Sequence, residues 1–158
     1  MRRHIITSED GSKTLALEEF QESYHSVHGA LSESMHIFIK EGLFYYLDKY
    51  SERSQISILE AGLGTGLNCL LTAIELRNYP LKKMVQYTSV EKYPVTLGEA
   101  ELLDYPALFP GNDKAGDIYK TIHGSTWNSM TDISESMSLL KIKNSFEEEF
   151  PKLSYQSI

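Results

Sequence analysis

One glycine-rich turn constrains this chain more than any other feature. The run Ile58-Leu59-Glu60-Ala61-Gly62-Leu63-Gly64-Thr65-Gly66-Leu67-Asn68 carries a short apolar strand straight into a helix. Ile56, Ile58 and Leu59 read as the strand, and the glycines let backbone N–H groups close on a ligand where a Cβ would intrude. The helix predicted over Leu67 to Leu76 turns its free N–H groups and the positive end of its dipole into the same crevice. A strongly polar or anionic ligand group belongs there.

The spacing narrows the ligand. A dinucleotide turn reads G-x-G-x-x-G and leaves room for a pyrophosphate. Here the glycines are Gly62, Gly64 and Gly66, and the pattern opens on an acid, Glu60, which repels phosphate but can hold an ammonium group. The next apolar segment, Val85 to Val90, ends in Glu91, an acid placed to grip ribose hydroxyls. An amine at one end and a ribose at the other describe S-adenosylmethionine better than NAD. The competing use of such a turn is tight strand–helix packing with no ligand at all.

The order of elements predicts an α/β fold: a Rossmann-like sheet, of which the chain holds the N-terminal half, behind an N-terminal β-hairpin extension. Residues 3–7 and 13–17 alternate in polarity around Asp10-Gly11, a hairpin signal. A helix is expected through Tyr45 to Tyr50. Residues 1–50 are therefore read as the extension and 51–158 as a partial methyltransferase-like domain. Within the latter the pattern predicts a strand over 56–61, a helix over 67–77, a strand over 85–91, and a helix from Val95 to Leu103 introduced by Pro94. Residues 117–138 fit no single period. Leu139 to Ile142 reads as the third strand and Leu153 to Ile158 as the approach to a fourth, so the sheet is expected to stop early, with one edge unpaired.

A net charge of −7 argues against a protein that grips nucleic acid mainly by neutralising phosphates, while leaving room for recognition of one exposed base. Lys82-Lys83 and Lys141-Ile142-Lys143 read as solvated charges. The single cysteine, Cys69, reads as a small buried hydrophobe. His25, His28 and His36 match no metal spacing; they are the residues chemically able to accept a proton, but each reads as structural. Tyr24 and Trp127 could stack on a splayed base, with packing the favoured reading for Trp127. No stretch reaches the roughly 20 apolar residues that span a bilayer, and a cytoplasmic location without membrane contact is expected.

Three segments in order, the E-A-G-L-G-T-G turn, E-S-M-H-I-F-I at 33–39 and S-V-E-K-Y-P at 89–94, resemble the MnmC-like tRNA (5-methylaminomethyl-2-thiouridine) methyltransferase domain. The likeness runs from about Tyr24 to about Leu140. It implies an S-adenosylmethionine-dependent methyltransferase that completes the 5-methylaminomethyl group on the wobble uridine of tRNA. It also implies that a separate FAD-dependent oxidase, fused in some members, acts on the same nucleotide. By match, Glu60, Gly62, Gly64 and Gly66 face the methionine part of the cofactor with Asn68 beside the helix start, Glu91 holds the ribose, and Lys92 neighbours the adenine. Asn144 falls where the family carries an acid. The family's aspartate-phenylalanine-proline segment over the methyl group would begin beyond Ile158, and no dedicated base stands out. Two other readings remain open: a methyltransferase for a small-molecule or protein amine, and a non-catalytic nucleoside-binding or interaction module.

Overall fold

The computed structural model describes residues 2–80 and 82–153. The chain begins with the hairpin its alternation predicts: β1 (Arg3–Thr7) pairs antiparallel with β2 (Lys13–Leu17), and a two-residue strand β3 (Glu22–Ser23) extends the sheet. The hairpin turn caps the helix that follows. Backbone N–H groups of Ala30, Leu31 and Ser32 donate to Ser8 Oγ, Ser12 Oγ and Asp10 Oδ2 at 3.2, 3.0 and 2.9 Å. The first turn of α1 (Ala30–Glu33) thus takes its caps from a loop about twenty residues away, because its own N-cap position is Gly29 and supplies no side chain.

From α1 the chain continues through wide i→i+5 turns over Ser34–Phe44 and tightens again into α2 (Tyr45–Lys49). The helical layer therefore starts well before the segment at Tyr45 where polarity alone places it. Ile39, Leu43 and Leu47 recur at intervals of four and are buried.

The second sheet holds β4 (Gln55–Ala61), β5 (Met84–Val90), β6 (Met130–Ser134) and β7 (Met137–Ile142) in the order β4-β5-β7-β6. The first three neighbours are parallel, and β6 folds back antiparallel on β7. Among the described residues β4 is one edge and β6 the other. Register places Ile58, Tyr87 and Leu139 in one row and Glu60, Ser89 and Lys141 in the next row on the same face, nearer the carboxyl ends. Helix α3 (Leu67–Asn78) packs against both the wide-turn helix and α5 (Ala115–Gly124), which accounts for burial around most of its circumference, Cys69 included.

Several expectations need correcting. Helix α4 (Leu97–Leu103) starts two residues later than proline placement indicates, because Thr96 and Glu99 form a reciprocal capping box that sets its first turn. The ambiguous span 117–138 holds most of α5, all of β6 and the first two residues of β7, which starts at Met137 and not at Leu139. Leu153 ends helix α6 (Phe146–Leu153) and begins no strand; the rest of that anticipated strand lies outside the described residues.

Two lysines read as solvated are buried. Lys83 donates to the carbonyls of Ser51 and Arg53 at 2.6 and 2.8 Å, pinning the α2–β4 loop to the start of β5. Lys141 donates to the carbonyls of Ile122 and His123 at 2.7 and 3.0 Å, capping the end of α5. Its ammonium lies 4.7 Å from the centre of the Trp127 ring, so that tryptophan packs as expected. Desolvation lowers the Lys141 pKa to about 8. No described helix is long and apolar enough to cross a membrane.

Asp10 accepts hydrogen bonds from Ser8, Ser12 and Ser32, and these hold its carboxyl far below the usual carboxylate range despite the opposing effect of desolvation. Replacing Asp10 with Ala removes a cap worth about 1 kcal/mol. The folded pKa lies below the unfolded one, so this contribution is full above about pH 4 and fades as pH falls through the folded value. Urea midpoints of wild type and Asp10→Ala should differ at pH 7 and converge towards pH 2; an equal gap at both would refute the capping role.

Candidate functional site

The turn between β4 and α3 opens onto a crevice of about 580 Å³ at the carboxyl end of the parallel strands. Gly62, Gly64 and Gly66 all have positive φ, at 88°, 53° and 77°, conformations that L side chains rarely adopt. Two of them also stand so close to neighbouring side chains that a Cβ would force those neighbours to move. A Cβ on Gly64 would sit 3.0 Å from Tyr24 Cδ1, and one on Gly66 would meet His123 Nε2 at 2.9 Å.

The turn is held from several sides. Gly62 N–H donates to the Val90 carbonyl at 2.8 Å, and Gly64 N–H donates to Glu91 Oε2 at 2.9 Å. The other carboxylate oxygen of Glu91 accepts from Tyr93 N–H at 2.7 Å, so this buried acid joins the turn to the loop after β5. Thr65 is the second junction. Its carbonyl accepts from the Tyr119 hydroxyl at 3.0 Å and from His123 Nε2–H at 3.1 Å, and its hydroxyl meets His25 Nε2 at 2.8 Å. Burial lowers the pKa of His123 to about 4 and also lowers that of His25, so both imidazoles are neutral at pH 7.

Glu60 ends β4 facing the crevice. Asn68 Nδ2 donates to one carboxylate oxygen at 3.2 Å and Ser89 Oγ to the other at 3.1 Å. The Tyr87 hydroxyl is buried beside the same group but without hydrogen-bond geometry to it, and burial together with the nearby carboxylate raises its pKa well above the usual value. Although Glu60 is only half-buried by surface area, its carboxyl is hemmed in by protein. Desolvation pushes its pKa up to about 7, opposed by the hydrogen bonds and reinforced by the charge of Glu91.

Asn68 Oδ1 is buried and lacks a partner. Glu60 makes no ion pair among the described residues, so an acceptor and an ionisable carboxyl await a donor, preferably a cation. The described lining carries Glu33, Glu60 and Glu91 and neither lysine nor arginine. Leu59 and Ile37 supply an apolar side at 42% and 60% exposure.

Of the residues singled out from the sequence, Glu60, Gly62, Gly64, Asn68 and Glu91 line this crevice. Gly66 is buried behind it against α5, and its geometry is that of a packing glycine at a helix start. Lys92 is exposed and lines a separate depression with Arg3, Tyr93, Pro94 and Lys143. Asn144 is turned to α6, donating to Glu149 at 2.9 Å. His25 lines the crevice; His28 is exposed and meets Glu9 at 3.0 Å, and His36 is exposed. No group of metal-ligating side chains is found among the described residues.

Sequence reasoning passed over Thr65, Glu33 and His123. The first two sit inside the quoted motifs and signalled nothing by type, and His123 lies in the span whose period was unreadable.

No family model matches the chain. Two curated proteins, each named tRNA 5-methylaminomethyl-2-thiouridine biosynthesis bifunctional protein MnmC, are similar to about half of it. The Leptospira interrogans protein is 35% identical over 83 residues, 52% of this chain and 13% of its own length. That of Hydrogenovibrio crunogenus is 34% identical over 100 residues, 62% of this chain and 14% of its own. A crystal structure of MnmC2 from Aquifex aeolicus superposes with a TM-score of 0.68 at 23% identity, covering 96% of this chain and 45% of that one. The chain therefore shares the α/β fold of MnmC2, with an N-terminal antiparallel hairpin, and the MnmC-like resemblance read from the three motifs holds in both sequence and structure. The chain spans about one seventh of the curated relatives it matches.

Because the folded pKa of Glu60 lies above its unfolded value, the folded state holds the extra proton between about pH 4.5 and pH 7, and stability falls as pH rises through that window. Replacing Glu60 with Gln removes this loss. Denaturant titration should find the variant more stable than wild type by about 2–3 kcal/mol at pH 8 and nearly equal to it at pH 5. A constant difference would mean that Glu60 titrates normally.

Proposed function

We propose that the crevice binds S-adenosylmethionine and that the chain is a methyltransferase domain acting on the aminomethyl group of the wobble uridine in tRNA, in the cytoplasm. One observation carries the cofactor reading. Glu60 with the orphaned Asn68 Oδ1, Gly62, Gly64 and Glu91 converge on a cleft whose described lining has neither lysine nor arginine and whose one histidine is neutral, which suits a ligand bearing an ammonium and a sulfonium and opposes one bearing a pyrophosphate.

Glu60 and Asn68 would take the ammonium, and the remaining lone pairs of the Glu91 carboxylate would take the ribose hydroxyls. Bound there, the cofactor supplies an electrophilic methyl group, and the protein's task is to orient it and exclude water. His25, neutral and at the crevice wall with Nε2 against the Thr65 hydroxyl, is the imidazole among the described lining residues and is placed to take a proton from an incoming amine. The names of the MnmC relatives support a tRNA substrate; a companion FAD-dependent oxidase is what the motif resemblance implies.

Calorimetry should show binding of S-adenosylhomocysteine and none of NAD. Glu91→Ala removes charge-assisted hydrogen bonds worth roughly 1.5–3 kcal/mol, a loss of about ten- to hundredfold in affinity. Binding should also weaken about tenfold from pH 7.5 to pH 6, as Glu60 gains a proton it must shed to receive an ammonium, and Glu60→Gln should abolish that slope. Tighter binding of NAD would overturn the cofactor reading. Label from the methyl donor on a uridine ring carbon or ribose, seen by mass spectrometry of digested tRNA, would overturn the substrate.

A further inference from the structure

The N-terminal hairpin reaches the glycine turn through one side chain. The Arg3 guanidinium sits against Glu99 in a two-pronged ion pair, with Nε–Oε1 at 2.8 Å and Nη2–Oε2 at 3.0 Å. Its remaining N–H groups donate to the carbonyls of Tyr93 and Pro94 at 2.9 and 3.1 Å and to the Tyr24 hydroxyl at 3.2 Å. Two of these partners lead to the crevice. Tyr93 N–H holds Glu91, and the Tyr24 ring lies against Gly64, where an added Cβ would stand 3.0 Å from its Cδ1.

Glu99 meanwhile is committed to the first turn of α4 through Thr96, so the anchor is itself fixed. A planar guanidinium with five donors can meet this set of acceptors; a lysine ammonium cannot.

We propose that Arg3 is a positioning residue for the cofactor crevice, setting the Tyr24 ring against Gly64 and the 93–94 loop beside Glu91. The part of this that concerns ligand affinity rests on the reading that the crevice binds an adenosyl ligand; the part that concerns the turn itself does not. The hairpin is thereby a wall of the site and not an appendage. With the clamp gone, Tyr24 keeps its backbone bond to Leu15 and its packing on the core but loses the hydrogen bond to its hydroxyl, and the Gly64–Glu91 hydrogen bond loses support from both sides.

The test pairs two measurements on Arg3→Ala, Tyr24→Ala and the double variant. In ligand-free protein, Arg3→Ala should speed amide hydrogen exchange at residues 62–66 and 93–96 by about tenfold, while the middle of α3 stays protected. In binding, Arg3→Ala should weaken S-adenosylhomocysteine by about tenfold, but by only about twofold in the Tyr24→Ala background, where the Arg3–Tyr24 contact is already gone and the 93–94 loop alone is left to respond. Arg3→Lys should recover little of either. Should Arg3→Ala fail to fold, Glu99→Gln releases the anchor more gently and the same changes are expected in smaller degree. Unchanged exchange at residues 62–66, or an equal affinity loss in both backgrounds, overturns the proposal. If wild type itself does not bind the probe, the cofactor reading fails and the exchange measurement alone decides the role of Arg3.

Discussion

The structure depends on how a turn built almost entirely of positive-φ glycine is kept in one shape. Such a segment has much conformational freedom to lose, and its one internal backbone bond, from Gly66 N–H to the Leu63 carbonyl at 2.9 Å, fixes only part of it. Thr65 does much of the holding. It offers its carbonyl to Tyr119 and His123 from α5 and its hydroxyl to His25 from the N-terminal extension. Glu91 completes the clamp from β5 through the amide of Gly64. Helix α5 is in turn fixed by the buried ammonium of Lys141, so the turn's geometry rests on residues drawn from nearly the whole described chain.

This arrangement also sorts charge. The buried cations, Lys83 and Lys141, are spent on backbone carbonyls at the ends of elements, where each closes a loop or a helix. The crevice is left with carboxylates. Glu60 is the sharpest case, since its desolvated carboxyl is ionised at little above neutral pH and gains most from a cation delivered by a ligand. Stability and binding are thus set against each other at a single residue, a common cost of a preorganised site.

Much of this was legible in the sequence, and the reasons are local. The hairpin boundaries followed from alternation around Asp10-Gly11, and the glycine turn from residue types with one physical use. What escaped depends on distant partners. Nothing adjacent to Lys83 or Lys141 signals burial, because the carbonyls that accept from them lie about twenty or thirty residues earlier. Gly66 and Gly64 look alike in sequence, yet one faces the crevice and the other faces His123. The start of α4 was displaced by a capping box that outweighed a nearby proline. Lys92 shows the limit of carrying positions over by motif: it follows Glu91 directly, but its side chain lines a different depression.

The most direct measurement is a crystal structure of the protein soaked with S-adenosylhomocysteine. The ligand's ammonium should lie within about 3.2 Å of both Glu60 and Asn68 Oδ1, with ribose hydroxyls on Glu91 and the chain of the ligand running past Gly62 and Gly64. A ligand carboxylate in place of the ammonium at Glu60, or density confined to the depression between Arg3 and Lys143, would contradict it.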